Sequence, residues 1–96
     1  MEFVSKNKAK QYCISLGEIS EVKFIENKCG YAYLETYQYL LKINEKYIFC
    51  GGSFSSSKAK TIWSVYDISD ISKLKLRDNT GYPYYKDVKE NFYKIK

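Results

Sequence analysis

Histidine is absent from the 96 residues. The chain therefore lacks the side chain that ordinarily titrates near neutrality, the imidazole metal ligand, and every Ser-His or Cys-His nucleophile pair. Arginine occurs once, as Arg77, beside fifteen lysines. With so little arginine, bidentate forks on phosphate or guanine give way to lysine point charges, hydroxyls and backbone N–H groups as the means of holding an anion. Three cysteines, Cys13, Cys29 and Cys50, stand 16 and 21 positions apart with no C-x-x-C pair, which speaks against a zinc site. An odd cysteine count points to reduced, half-buried thiols rather than a disulfide framework. No window approaches the length of apolar chain that spans a bilayer, and Met1-Glu2-Phe3-Val4-Ser5-Lys6 lacks the apolar stretch of a secretory signal. The expectation is one soluble cytoplasmic domain over residues 1–96, with no metal, no cofactor and no membrane partner.

What is present is apolar and aromatic: 45% hydrophobic residues and 18% aromatics exclude a disordered tail. The excess of Lys, Ile, Asn and Tyr is the composition that an AT-rich genome writes. A formal charge of +5 nevertheless favours acidic over basic partners.

An ordered series of matches suggests an internal repeat, roughly 8–50 and 58–96. Lys8-Ala9-Lys10 recurs as Lys58-Ala59-Lys60, and Glu18-Ile19-Ser20-Glu21-Val22-Lys23-Phe24 is echoed by Asp70-Ile71-Ser72-Lys73-Leu74-Lys75-Leu76. Gly30-Tyr31-Ala32-Tyr33 matches Gly81-Tyr82-Pro83-Tyr84, and Ile43-Asn44-Glu45-Lys46-Tyr47 is like Val88-Lys89-Glu90-Asn91-Phe92.

Within each copy the dominant period is two. Val22-Lys23-Phe24 and Leu74-Lys75-Leu76 alternate apolar and charged, and Thr61-Ile62-Trp63-Ser64-Val65-Tyr66 is β-branched and aromatic, with Trp63 expected in the core. Leu40-Leu41-Lys42-Ile43, Asn44-Glu45, Lys46-Tyr47-Ile48-Phe49 reads as a tight hairpin whose second strand ends at Gly51-Gly52. Two segments carry helical spacing as well: Ala9, Tyr12, Cys13 and Leu16, between Ser5 as N-cap and Gly17 as stop, and Tyr85, Val88, Phe92 and Ile95 after Pro83. Because the repeat pairs the first of these with the strand-like 61–67, and equivalent copies share a state, both are assigned as strand.

A hydrophobic strand ending in Gly-Gly, a loop, then an aromatic strand ending in Tyr-Asp resembles the kelch repeat: Phe49-Cys50-Gly51-Gly52 and Ser64-Val65-Tyr66-Asp67 carry it. The tract from Tyr66-Asp67-Ile68 through Asp70-Ile71-Ser72-Lys73-Leu74, with Gly81-Tyr82-Pro83-Tyr84 and Asp87-Val88, looks like the LVIVP-type propeller repeat, although the proline before the outer strand and the kelch tryptophan after it are missing. The resemblance implies a mainly β fold of tandem four-stranded antiparallel blades. Two blades leave apolar flanks, so several copies of the chain would complete a propeller as a homo-oligomer. The alternative fold is a compact α+β monomer with helices near 33–41 and 83–95.

Chemistry-bearing residues gather in two places. The stretch from Gly51 to Lys60 offers Ser53, Ser55, Ser56 and Ser57 as donors and Lys58 and Lys60 as cations, without the Gly-Lys-Ser/Thr ending of a P-loop. Tyr31, Tyr33, Tyr82 and Tyr84 recur at matching places of both copies, and aromatics interleaved with lysine stack bases while cations hold phosphates. These ten residues are the expected ligand-binding set of a non-enzymatic protein that sequesters or recognises a nucleotide-like molecule or single-stranded nucleic acid. The competing classes are a protein-interaction module or inhibitor of phage or mobile-element origin, docking through a Tyr-rich surface, and a metal-dependent nuclease using Asp67, Asp70, Asp78, Asp87 and Lys89.

Overall fold

A computed structural model describes residues 1–26, 38–77, 81 and 84–93. Its elements are β1 (Glu2–Phe3), α1 (Lys6–Ser15), β2 (Ile19–Ile25), β3 (Gln38–Ile43), β4 (Lys46–Ser55), β5 (Lys60–Asp67), β6 (Leu76–Arg77) and α2 (Tyr84–Asn91). The six strands form one antiparallel sheet in the order β1-β5-β4-β3-β2-β6. The mainly β, antiparallel expectation holds at this level.

Strand pairing decides which side chains share a face, because successive residues alternate across a sheet. Pairings Val22↔Leu41, Tyr39↔Cys50, Leu41↔Ile48, Cys50↔Val65 and Gly52↔Trp63 put one apolar set together. Ala9 and Cys13 of α1, Val88 of α2 and the adjoining Phe92 close over that set as a single core, which includes Trp63 at 6% exposure. Both helices thus lie on one face. One apolar face of the sheet is covered by helices of the same chain.

The predicted hairpin is present in register. Asn44 and Glu45 take the left-handed φ values of 52° and 65° between Ile43 and its partner Lys46, the conformation a two-residue hairpin turn requires.

Three assignments are corrected. Residues 6–15 and 84–91 are helices, not strands. Their i, i+4 apolar residues (Ala9 with Cys13, Tyr84 with Val88 and Phe92) need a helix to reach one sheet face together, and burial overrides the analogy with 61–67. Accordingly Lys8-Ala9-Lys10 is helical while Lys58-Ala59-Lys60 closes the β4–β5 turn. The helix expected near 33–41 is strand from Gln38 onward, and its earlier part lies outside the described residues. Finally, Gly51-Gly52 does not end β4, which continues to Ser55.

The reason is that rings lie on these glycines. A Cβ at Gly52 would stand 3.0 Å from the Trp63 indole on the helix side, and one at Gly51 would stand 2.7 Å from the Phe49 ring on the other side. Bare backbone lets both rings come close against the strand. Gly52→Ala should therefore lower stability by ~1–3 kcal/mol through overpacking against a buried indole. Urea denaturation read by Trp63 fluorescence checks this, with a lower midpoint and an unchanged slope expected.

Candidate functional site

The face opposite the helices carries the odd-numbered side chains of β4. Phe49 pairs with Tyr66, Gly51 with Ser64, Ser53 with Ile62, and Ser55 with Lys60. The Phe49 and Tyr66 rings stack at 4.7 Å between centroids and 23° between planes, with Tyr66 49% exposed. From that stack the two strands run to the turn at Ser56, Ser57, Lys58 and Ala59, where Ala59 takes φ 51°. The Ser55 and Ser57 hydroxyls are 3.2 Å apart, and Lys58 and Lys60 are exposed. The lane from Phe49 to Ser55 is about 20 Å long at the rise of an extended strand. It orders an aromatic platform, then hydroxyls, then cations. Glu2 of β1, opposite Ser64, flanks it.

The other half of this face is covered. The 68–75 segment crosses it on its way from β5 to β6: Ile68 N–H donates to the Tyr47 carbonyl at 2.9 Å, and Ile71 joins Leu40, Lys42, Tyr47, Glu21, Lys23 and Leu76 around a cleft of ≈ 40 Å³. That volume holds about one water, far below a small-molecule pocket. Lysines here are neutralised, Lys23 by Glu21 at 3.1 Å and Lys42 by Glu45 at 3.8 Å. Asp70 shapes the crossing segment as a turn residue: Ser72 donates its backbone N–H at 3.1 Å and its hydroxyl at 2.5 Å to the carboxylate. Those bonds hold the Asp70 carboxyl below its ordinary value.

Of the expected ligand set, Ser53, Ser55 and Lys60 share the open lane, and Ser56, Ser57 and Lys58 form its end. Tyr31, Tyr33 and Tyr82 lie outside the described residues. Tyr84 packs on Phe24 at 4.8 Å and accepts a 3.3 Å hydrogen bond from Arg77, on the helix side of the sheet and apart from the lane. Its i, i+4 relation to Val88 makes it part of the core-facing stripe of α2. The aromatics that do face solvent together, Phe49 and Tyr66, stood in the sequence within the blade-like motifs, and only strand register reveals their stacking.

Asp87 is held by three donors from α1, β3 and α2. The Lys6 ammonium meets its Oδ1 at 3.0 Å, Asn91 Nδ2 donates to Oδ1 at 2.8 Å, and the buried Tyr39 hydroxyl donates to Oδ2. Lys6 lies over the Tyr39 and Trp63 rings at 5.9 and 5.7 Å. One carboxylate thus ties α2 to α1 and β3. Among the described residues no three His, Cys, Asp or Glu side chains converge on a metal position. Asp87→Ala should cost ~2–3 kcal/mol, since it removes a half-buried ion pair and the acceptor for the Tyr39 hydroxyl, whereas Asp87→Asn keeps one acceptor oxygen and should cost less. Asparagine turns the other oxygen into an NH2 donor, so it spares only part of that cost; thermal and urea unfolding of the two variants measure the difference.

Compared with family models, curated proteins and solved structures, the chain finds no match in any of the three. Among the described residues no helix is long and apolar enough to cross a membrane.

Proposed function

We propose that the protein is a non-enzymatic binder of single-stranded nucleic acid, using the open β4–β5 lane. One observation carries this reading: the Phe49–Tyr66 stack, the Ser53, Ser55 and Ser64 hydroxyls and Lys60 fall in order along one solvent-facing side of two paired strands. Each group has its part. An exposed aromatic face stacks an unpaired base irrespective of its identity, hydroxyls donate to phosphate or sugar, and lysines supply the charge that displaces counterions. The net charge of +5 draws a polyanion to the surface.

The shape of the site favours a strand over a free nucleotide. Mononucleotide sites are concave, whereas this lane runs along two paired extended strands, and the cleft beside it is too small for a base. Duplexes offer no unstacked base to Tyr66. With one arginine in the chain, recognition rests on lysine and hydroxyl contacts that read backbone rather than sequence.

Fluorescence anisotropy with a labelled oligothymidylate tests the reading across a salt series. Tyr66→Ala should weaken binding roughly 10-fold without unfolding the chain, since Tyr66 is half exposed. Replacing Lys58 and Lys60 together by alanine should reduce the slope of log K against log salt by about 1.4, at about 0.7 per lost phosphate contact. Salt-independent binding, or affinity unchanged by both variants, would overturn it.

A further inference from the structure

One charge on the open lane has the wrong sign for a polyanion. Glu2 of β1 pairs with Ser64 and so stands, exposed, on the same face as Tyr66 and Lys60. The backbone fixes its position: the Met1 nitrogen donates to the Val65 carbonyl at 2.7 Å, and Val65 N–H donates to the Met1 carbonyl at 2.8 Å. Those two bonds make the adjoining Glu2↔Ser64 a non-hydrogen-bonded pair, the kind in which facing side chains approach most closely. Carboxylates elsewhere on the sheet and helices are neutralised, Glu21 by Lys23 at 3.1 Å, Glu26 by Lys75 at 3.0 Å and Asp87 by Lys6 at 3.0 Å. Among the described residues, no ion pair engages Glu2.

We infer that Glu2 is the base-reading residue of the lane and selects guanine at the nucleotide stacked on Tyr66, an inference that rests on the single-strand reading given above. Tyr66 is the diagonal neighbour of Glu2 across the β1–β5 pair, about 7–8 Å away, a span that a long side chain and a ring bridge. A base lying on the Tyr66 ring extends past it, and its edge comes within reach of the carboxylate. The cations stand at the other end. Lys60 is four residues back along β5, about 13 Å at the rise of a strand. Lysine-held phosphates and the carboxylate are thereby kept apart, which limits their repulsion.

The chemistry of a carboxylate ranks the bases, because a carboxylate accepts hydrogen bonds and donates none. Guanine offers N1–H and its N2 amino group side by side, two donors spaced for the two carboxylate oxygens. Adenine and cytosine offer one amino group beside a ring-nitrogen acceptor, which supports a single bond. Thymine and uracil hold N3–H between two carbonyl oxygens, and those oxygens repel the carboxylate. The remaining groups of the lane carry no such ranking: a ring stacks any base, while hydroxyls and lysines hold the backbone. For an exposed residue the low end of the discrimination that a bidentate base contact gives applies, roughly 5-fold.

Anisotropy titrations compare labelled hexathymidylate with the same oligomer carrying one internal guanine, and with one carrying inosine there, whose base lacks the N2 amino group. The guanine oligomer should bind roughly 5-fold tighter than hexathymidylate, and inosine should lose most of that gain. Glu2→Gln, a change at an exposed position, should bring all three oligomers within roughly 2-fold while leaving hexathymidylate affinity equal or higher. A guanine preference that survives in Glu2→Gln belongs to stacking and overturns the inference. Equal affinity of the unmodified chain for all three oligomers overturns it too, and leaves the single-strand reading standing. Absence of binding to any oligomer, or binding that Tyr66→Ala leaves unchanged, removes that reading and the inference with it, a result distinct from binding without preference.

Discussion

Two consecutive bare positions in the central strand govern both sides of this sheet. Gly52 gives the Trp63 ring a place to lie on the helix side, and Gly51 does the same for Phe49 on the open side. Glycine within a strand is costly in conformational entropy and contributes no side-chain burial of its own. Here the cost is offset by rings seated on adjacent faces while the backbone keeps its pairing through Gly51↔Ser64 and Gly52↔Trp63. Trp63 then becomes the floor beneath Lys6 and α1, and Phe49 becomes half of the solvent-facing stack with Tyr66. The division between a packed face and an open face starts at these two residues.

The helix side is closed by apolar contact and fastened by one polar knot. Asp87 collects Lys6, Asn91 and Tyr39, so that a carboxylate near the core has donors on every accessible side and α2 is oriented against α1. Its role is positional, and it leaves no carboxylate cluster for metal chemistry among the described residues. On the opposite side the 68–75 segment seals the region around Leu40, so solvent-facing chemistry concentrates on β4 and β5. The paired strands present the stack, the hydroxyls and Lys60 at fixed spacing, the preorganisation on which the proposed strand-binding role rests.

Much of the sheet was legible because its signals are local. Asn44-Glu45 between two apolar runs states the hairpin, and the alternation of Val22-Lys23-Phe24 and the β-branched, aromatic run around Trp63 state their strands. The helices were legible too, in the spacing of Ala9, Tyr12, Cys13 and Leu16, but a repeat match outweighed a periodicity that packing then enforced. Gly51-Gly52 was read as a stop because glycine usually punctuates strands; its use as a seat for rings depends on which residues lie beside it. The Asp87 knot joins residues 81 and 48 positions away, and the Phe49–Tyr66 stack depends on register, so neither has a signature in any short window. The serine and lysine residues of the proposed lane stand in one stretch of sequence, whereas the Phe49–Tyr66 stack beside them depends on the fold.

The central claim is that the side of β4 and β5 facing away from the helices is where a nucleic-acid strand lies. Amide chemical-shift mapping during titration with an unlabelled oligothymidylate tests it most directly. The account predicts shifts concentrated at Phe49, Ser53, Ser55, Lys58, Lys60, Ser64 and Tyr66, with α1 and α2 unchanged. Shifts centred on the helices, or none at concentrations that saturate a polyanion-binding surface, would contradict it.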